Sequence, residues 1–192
     1  IAIEQKTINR NPRSTIGTTT EVYDYLRLLF ARVGEARSYV SGEPMVKYSV
    51  EKIVELILER YAGKRVCLLA PLVHNRKGHY KDLFEQLVKK GFLNARVDGE
   101  LREITPGMKL DRYRNHSVEL VVDKMKVSGN DTSRLRNSVA DTLRQGGRQM
   151  MVYDVDADET RHYSQSLMDP VSGISYREPA PHNFSFNSPL GA

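Results

Sequence analysis

Apolar periodicity divides the chain into helix-spaced and strand-spaced stretches separated by polar, glycine and proline punctuation. Val22, Leu26, Leu29, Phe30 and Val33 recur at helical spacing and form one stripe. Thr18 and Glu21 stand at capping-box spacing, and Gly34 is placed to stop the helix in a left-handed conformation. Ser49 caps a second predicted helix carrying Val50, Ile53, Val54, Ile57, Leu58 and Tyr61, closed by Gly63. Residues 65–73 read as a buried strand whose end Pro71 demotes to an edge or a bend. Residues 79–90 are helical, with Tyr80, Leu83, Phe84, Leu87 and Val88 inward and Gly91 as the stop. Residues 93–98 alternate strictly, placing Leu93, Ala95 and Val97 inward. In the strand 117–127, Val118, Leu120 and Val122 favour one face while Val121, Met125 and Val127 favour the other. Either a bulge or burial on both faces accounts for that, and the pattern does not choose. A helix over 131–145 carries Leu135, Val139 and Leu143, ends at Gly146-Gly147, and leads into a last strong strand at 148–155.

The order after the first helix is that of a split βαβ unit. The predicted class is α/β, more closely α+β: a split βαββαβ-like sheet with helices on one face, an N-terminal helix and an irregular C-terminal return strand. The chain divides into 1–45, a patterned domain at 46–155, and 156–192. In the last part Asp154, Asp156, Asp158 and Glu159 crowd together, and proline and glycine then break the pattern. A return strand or a hairpin, not a core, is expected there. No internal repeat is apparent.

Composition narrows the function classes. The 192 residues are 40% hydrophobic and 28% charged, which suits a globular chain and excludes wholesale disorder. No apolar run approaches the ~18 residues that span a bilayer, so no membrane partner is expected. The chain opens Ile1-Ala2-Ile3-Glu4, which reads as a cut-out or processed piece, not a targeting leader. The one cysteine, Cys67, excludes an internal disulfide and a multi-cysteine zinc site; in its apolar run it reads as a small buried hydrophobe, in keeping with a reducing, cytoplasmic setting. The net charge of +5 permits an acidic partner without specifying one.

Sites of chemistry are sparse. His74, His79, His116, His162 and His182 form no metal-binding helix pair and flank no nucleophile motif. The stretch His74-Asn75-Arg76-Lys77-Gly78-His79 joins a predicted strand to a predicted helix. It reads as a solvated basic loop or as an anion site facing a protein or DNA; it lacks the glycines and the Lys-Ser/Thr of a nucleotide loop. The acidic cluster lacks the pattern of a calcium loop. Arg112, Arg114 and His116 read as a solvated turn.

Two terminal strips are more specific. Ile3 to Thr7, Asn11 to Thr18 and Glu21 to Gly34 closely resemble the UvrA family, as does the ending Asn183 to Ala192. Leu69-Ala70-Pro71, Arg76-Lys77-Gly78, Arg96-Val97-Asp98-Gly99 and His116 to Lys124 extend the likeness through the middle. UvrA is the damage-sensing ATPase of bacterial nucleotide excision repair. The resemblance implies that 46–155 is the inserted UvrB-binding domain, flanked by parts of the first ABC signature region. It implies ATP and magnesium as ligands of the longer parent, DNA as a partner of that parent, and a homodimeric parent. Gln5 falls on the Q-loop glutamine. No phosphate loop, signature motif or Walker B acid lies in the chain, so no catalysis is expected of it alone.

The family docks UvrB through basic residues on the inserted domain. One family arginine falls on Asn94, where the charge is missing; the other falls on Lys124, which keeps charge without the bidentate fork. Arg96, predicted on the same strand face as Asn94, is a candidate substitute, with Arg76 and Lys77 as weaker ones. The family's cysteine pairs are also absent: 35–38 and 164–168 stand in their places without cysteine, so zinc is not expected at this end. The leading expectation is therefore a UvrB-docking module. The alternative is a DNA-contacting module, suggested by the net charge and by Arg10, Arg13 and the Arg76-Lys77 loop. A free-standing enzyme has no constellation behind it.

Overall fold

A computed structural model describes residues 15–186, 188 and 189. They fall into two compact units, one of Arg37–Arg177 and one of the flanking residues up to Ala36 and from Glu178.

The larger unit is built on a six-stranded sheet: β1 (Arg65–Lys77), β2 (Asn94–Val97), β3 (Glu100–Glu103), β4 (Asn115–Lys126), β5 (Gln149–Asp154) and β6 (Glu159–Ser164), in the order β3-β2-β4-β1-β5-β6. Every neighbouring pair is antiparallel. The α+β expectation holds, and helices cover one face. Val66 and Leu68 of β1 pack with Ile53, Ile57 and Tyr61 of α3 (Val50–Tyr61) and with Leu135, Val139 and Leu143 of α5 (Thr132–Gln145). Ala70, two residues further along the same face, packs with Phe84 and Leu87 of α4 (Lys81–Lys89), together with Ala95, Val97, Val118 and Leu120. Ser49 caps α3 as its sequence predicts, accepting from the Lys52 amide at 3.2 Å.

Several features differ from expectation. β3 was not foreseen, although Asp98-Gly99 is a strong two-residue hairpin signal; both residues have positive φ, and Val97 pairs with Glu100 across them. Leu93 is exposed, because β2 begins only at Asn94. The segment after 155 contributes to the core: β6 pairs with all of β5, and Tyr163 and Met168 are buried. Its acidic residues form the hairpin turn, where Asp154 is buried and accepts from Lys64 Nζ at 2.8 Å and from the Asp156 and Ala157 amides.

In the smaller unit, α1 (Ile16–Thr19) precedes α2 (Val22–Val33). The capping box is Thr15 with Thr18, not Thr18 with Glu21. Gly34 does end α2, but with φ −63°; a Cβ there would lie 2.4 Å from the Phe30 carbonyl oxygen, so close approach is what requires glycine. The α2 stripe is at least 44% exposed at each of its five positions.

His116, read from sequence as part of a solvated turn, is buried and locks the start of β4 to the β2–β3 hairpin. Its Nδ1 lies 2.6 Å from Asp98 Oδ2, and its Nε2 lies 2.9 Å from the Asp111 carbonyl oxygen. A carbonyl only accepts, so Nε2 carries a proton; the carboxylate then favours a proton on Nδ1 as well. The Asp98 hydrogen bond accordingly raises the His116 pKa above its ordinary 6.5, against the opposing effect of burial. Stability from this pair is complete below about 6.5 and is lost as pH rises through the folded-state value. An imidazole NMR titration is expected to place His116 above 6.5, and Asp98→Asn to lower it and flatten the neutral-pH dependence of stability.

Candidate docking face

The face of the sheet opposite the helices carries the candidate site. Its floor is a small apolar cluster of Cys67 and Leu69 from β1, Val121 from β4 and Met151 from β5, with Tyr153 packed against it. Cys67 is buried; burial pushes its thiol pKa up and outweighs the opposing pull of Lys124 and Arg96. It is a packing residue, as its apolar run predicts.

A bulge places Lys124. Along β4, Val118 and Leu120 face the helices, so uninterrupted alternation would send Lys124 inward as well. Leu68 pairs with Asp123, yet Leu69 pairs with Val121, which leaves Val122 as the extra residue. The phase therefore reverses. Asp123 turns to the helix side, where it accepts from Arg134 at 2.9 Å and Ser138 at 2.6 Å of α5. Lys124 turns to the open face opposite Cys67 and stays exposed, with Nζ donating to Asn94 Oδ1 at 3.0 Å. The two positions singled out by the family resemblance thus meet, although 30 residues apart.

Arg96 shares this face but belongs to the interior. Its side chain is 12% exposed. Nε donates to Glu119 Oε2 at 3.1 Å, Nη1 donates to Thr160 Oγ1 at 2.7 Å, and the guanidinium lies 5.1 Å from the Tyr153 ring centre. Three strands separate β2 from β6 in the sheet order. Laid flat, that separation is about 19 Å, so the sheet curls around the open face to bring Arg96 to Thr160. Glu119 is buried too; burial raises its pKa more than Arg96 lowers it. The expectation that Arg96 substitutes at the docking position is thereby corrected: its side chain is mostly buried, and two of its donors are held by Glu119 and Thr160.

Arg76 and Lys77 lie elsewhere. β1 runs on through Lys77, where a loop is expected from sequence, and Arg76 pairs with His116. Eight residues of β1 lie between Arg76 and Cys67, the partner of Lys124, so the basic pair sits at the opposite end of the β1–β4 ladder. Both basic side chains are exposed, and the Tyr80 hydroxyl donates to both of their carbonyls. Gln5, Arg10 and Arg13 lie outside the described residues. Among the described residues no three His, Cys, Asp or Glu side chains group to hold a metal, and no helix is long and apolar enough to cross a membrane.

Residues 48–156, which include this face, match the family described as UvrA interaction domain. The chain belongs to that family. Along its full length it is 43% identical to UvrABC system protein A of Thermus thermophilus and of Streptomyces coelicolor, and 42% identical to that of Escherichia coli. It spans about a fifth of the length of these relatives.

In this UvrA interaction domain, the family resemblance pointed to Asn94 and Lys124, which lie together, but not to the residues that bury Arg96. A signal was present: Glu119 stands between Val118 and Leu120, and an acid inside an apolar strand demands a partner. Arg96→Ala leaves Glu119 buried without its cation, and a loss of about 3 kcal/mol is expected in urea unfolding. Adding Glu119→Gln is expected to return part of that loss, because the stranded charge is then removed.

Proposed function

We propose that this domain docks UvrB through the open sheet face, with Lys124 as its principal cation and Asn94 as the group that orients it. The observation that carries the reading is the exposed Lys124 on the helix-free face of a UvrA interaction domain, held by Asn94 beside an apolar floor. An exposed cation with a neutral partner is suited to an acidic partner surface, and truncating one member of a desolvated charge pair costs ~2–5 kcal/mol. The longer protein, on this reading, is an ATP-hydrolysing, DNA-binding subunit of cytoplasmic nucleotide excision repair that works as a homodimer with magnesium. Gln5 serves its nucleotide site.

Arg76 and Lys77 support a second reading, contact with DNA, because they form an exposed basic pair at the far end of β1. Two measurements separate the readings. In calorimetry with UvrB from the same cell, Lys124→Glu is expected to weaken a one-to-one complex at least about tenfold. Arg76→Glu with Lys77→Glu should leave that complex intact. Unchanged affinity in Lys124→Glu rejects the docking assignment. A salt titration with duplex DNA addresses the second reading: steep loss of affinity with salt, reduced in slope by the Arg76 and Lys77 changes, supports it.

A further inference from the structure

Two turns of the larger unit share one five-residue pattern, Ser38-Tyr39-Val40-Ser41-Gly42 and Asp169-Pro170-Val171-Ser172-Gly173. Their backbones match as well. The Gly42 amide donates to the Ser38 carbonyl at 2.9 Å, and the Gly173 amide donates to the Asp169 carbonyl at 2.9 Å. The Ser38 amide donates to the Glu43 carbonyl, and the Asp169 amide to the Ile174 carbonyl, again at 2.9 Å each. Both glycines have positive φ, +75° and +73°. A paired bridge between Val46 and Met168 sets the segments side by side.

The first and fourth residues of both turns converge on the Asp169 carboxylate, which is buried. Oδ2 accepts from Ser38 Oγ at 2.9 Å and Ser172 Oγ at 2.7 Å. Oδ1 accepts from Ser41 Oγ at 2.9 Å and the Val171 amide at 3.0 Å. Four donors occupy the four acceptor sites of an ionised carboxylate. Each serine also receives backbone amides: Val40 and Ser41 donate to Ser38 Oγ, Glu43 to Ser41 Oγ, and Ile174 to Ser172 Oγ. Both turns therefore aim their amide dipoles at one negative centre through hydroxyl relays. Burial would raise the Asp169 pKa, but the Val171 amide and the three hydroxyls outweigh it and hold the carboxyl well below its usual range.

Two facing turns, each presenting side chains at a Cys-x-x-Cys spacing, are the arrangement of a structural zinc site. The side chains present do not suit zinc, which takes thiolates and imidazoles in such sites, and the carboxylate's acceptor sites are already filled. We propose that Ser38, Ser41, Asp169 and Ser172 form a metal-free counterpart of a paired zinc knuckle, in which a central carboxylate and its hydrogen bonds close the two turns. This does not depend on what the open face docks.

The test uses the 192-residue chain. EDTA followed by phenanthroline is expected to leave its Tm unchanged, and hydrogen exchange at the Gly42 and Gly173 amides unchanged. Asp169→Ala is expected to accelerate exchange at both glycines at least about tenfold, including the turn that lacks the mutation. Should that variant not fold, Ser41→Ala reads the same coupling, as faster exchange at Gly173. Combining Ser38→Cys, Ser41→Cys, Asp169→Cys and Ser172→Cys is expected to create one cobalt site with tetrahedral thiolate absorption, displaceable by zinc. A Tm that falls with chelator overturns the metal-free assignment. Unmoved exchange in the turn opposite the mutation overturns the carboxylate's role, and a four-cysteine chain that binds no cobalt overturns the knuckle geometry.

Discussion

A change of phase in one strand governs the larger unit. β4 must present apolar side chains to the α4 core at its start and to the α3–α5 core at its end, and strict alternation cannot deliver Leu120, Met125 and Val127 to the same face. The extra residue at Val122 resolves this by dropping one step of pairing with β1. Everything beyond it is turned over. Met125 and Val127 reach the second core, Asp123 meets α5, and Lys124 emerges on the side without helices. The exposed lysine is thus a product of the packing requirement. Removing the bulge would exchange Asp123 and Lys124 between interior and exterior, at the expense of both cores.

The curl of the sheet is the second constraint, and it decides which charges are free. A sheet with helices on one side has two faces of unlike polarity, and here the open face folds inward far enough for the Arg96 side chain of β2 to reach Thr160 of β6. Arg96 is drawn into the concavity, and Glu119 accompanies it as the compensating charge. A buried pair of this kind contributes little net stability, since desolvation offsets most of the attraction. Its two-sided grip on Glu119 and Thr160 does specify how far the sheet closes. Lys124 stays exposed, with the neutral Asn94 amide as its partner. Two cations on one face therefore differ in burial and in the partners they hold.

The helices and long strands were legible because their apolar spacing survives whatever surrounds them: α3, α4, α5, β1, β4 and β5 follow the periodicity. The conflict of phases within β4 was legible too, although its resolution needed the register with β1. β6 was legible only as a return strand or hairpin without a core role, because Glu159-Thr160-Arg161-His162-Tyr163-Ser164 offers no apolar alternation; it is held by ladder bonds to β5, by Tyr163 in the core and by the Arg96–Thr160 bond. The capping box expected for α2 is absent because Thr15 and Thr18 cap the short α1 instead, and α2 starts after Glu21 with no side-chain cap. The two Ser/Asp-x-Val-Ser-Gly turns are not legible from periodicity, since polar residues with glycine carry no periodic signal. Their meaning lies in a pairing across 131 residues, which only the fold supplies.

That pairing bears on how the unit is closed. The chain enters the larger unit at Arg37 and leaves it at Arg177, and the matched turns lie just inside those two points. Joining the ends of a segment this long carries a closure entropy that grows only slowly with length, so a few well-made contacts at the mouth offset much of it. A metal would do so with four bonds to one ion. Here a buried carboxylate accepts four hydrogen bonds, two from each turn, and each hydroxyl donor is itself steadied by backbone amides. Such a clasp needs no bound ion, but it is only as strong as the exclusion of water from Asp169. The burial of that one side chain is accordingly the condition on which closure of the unit rests.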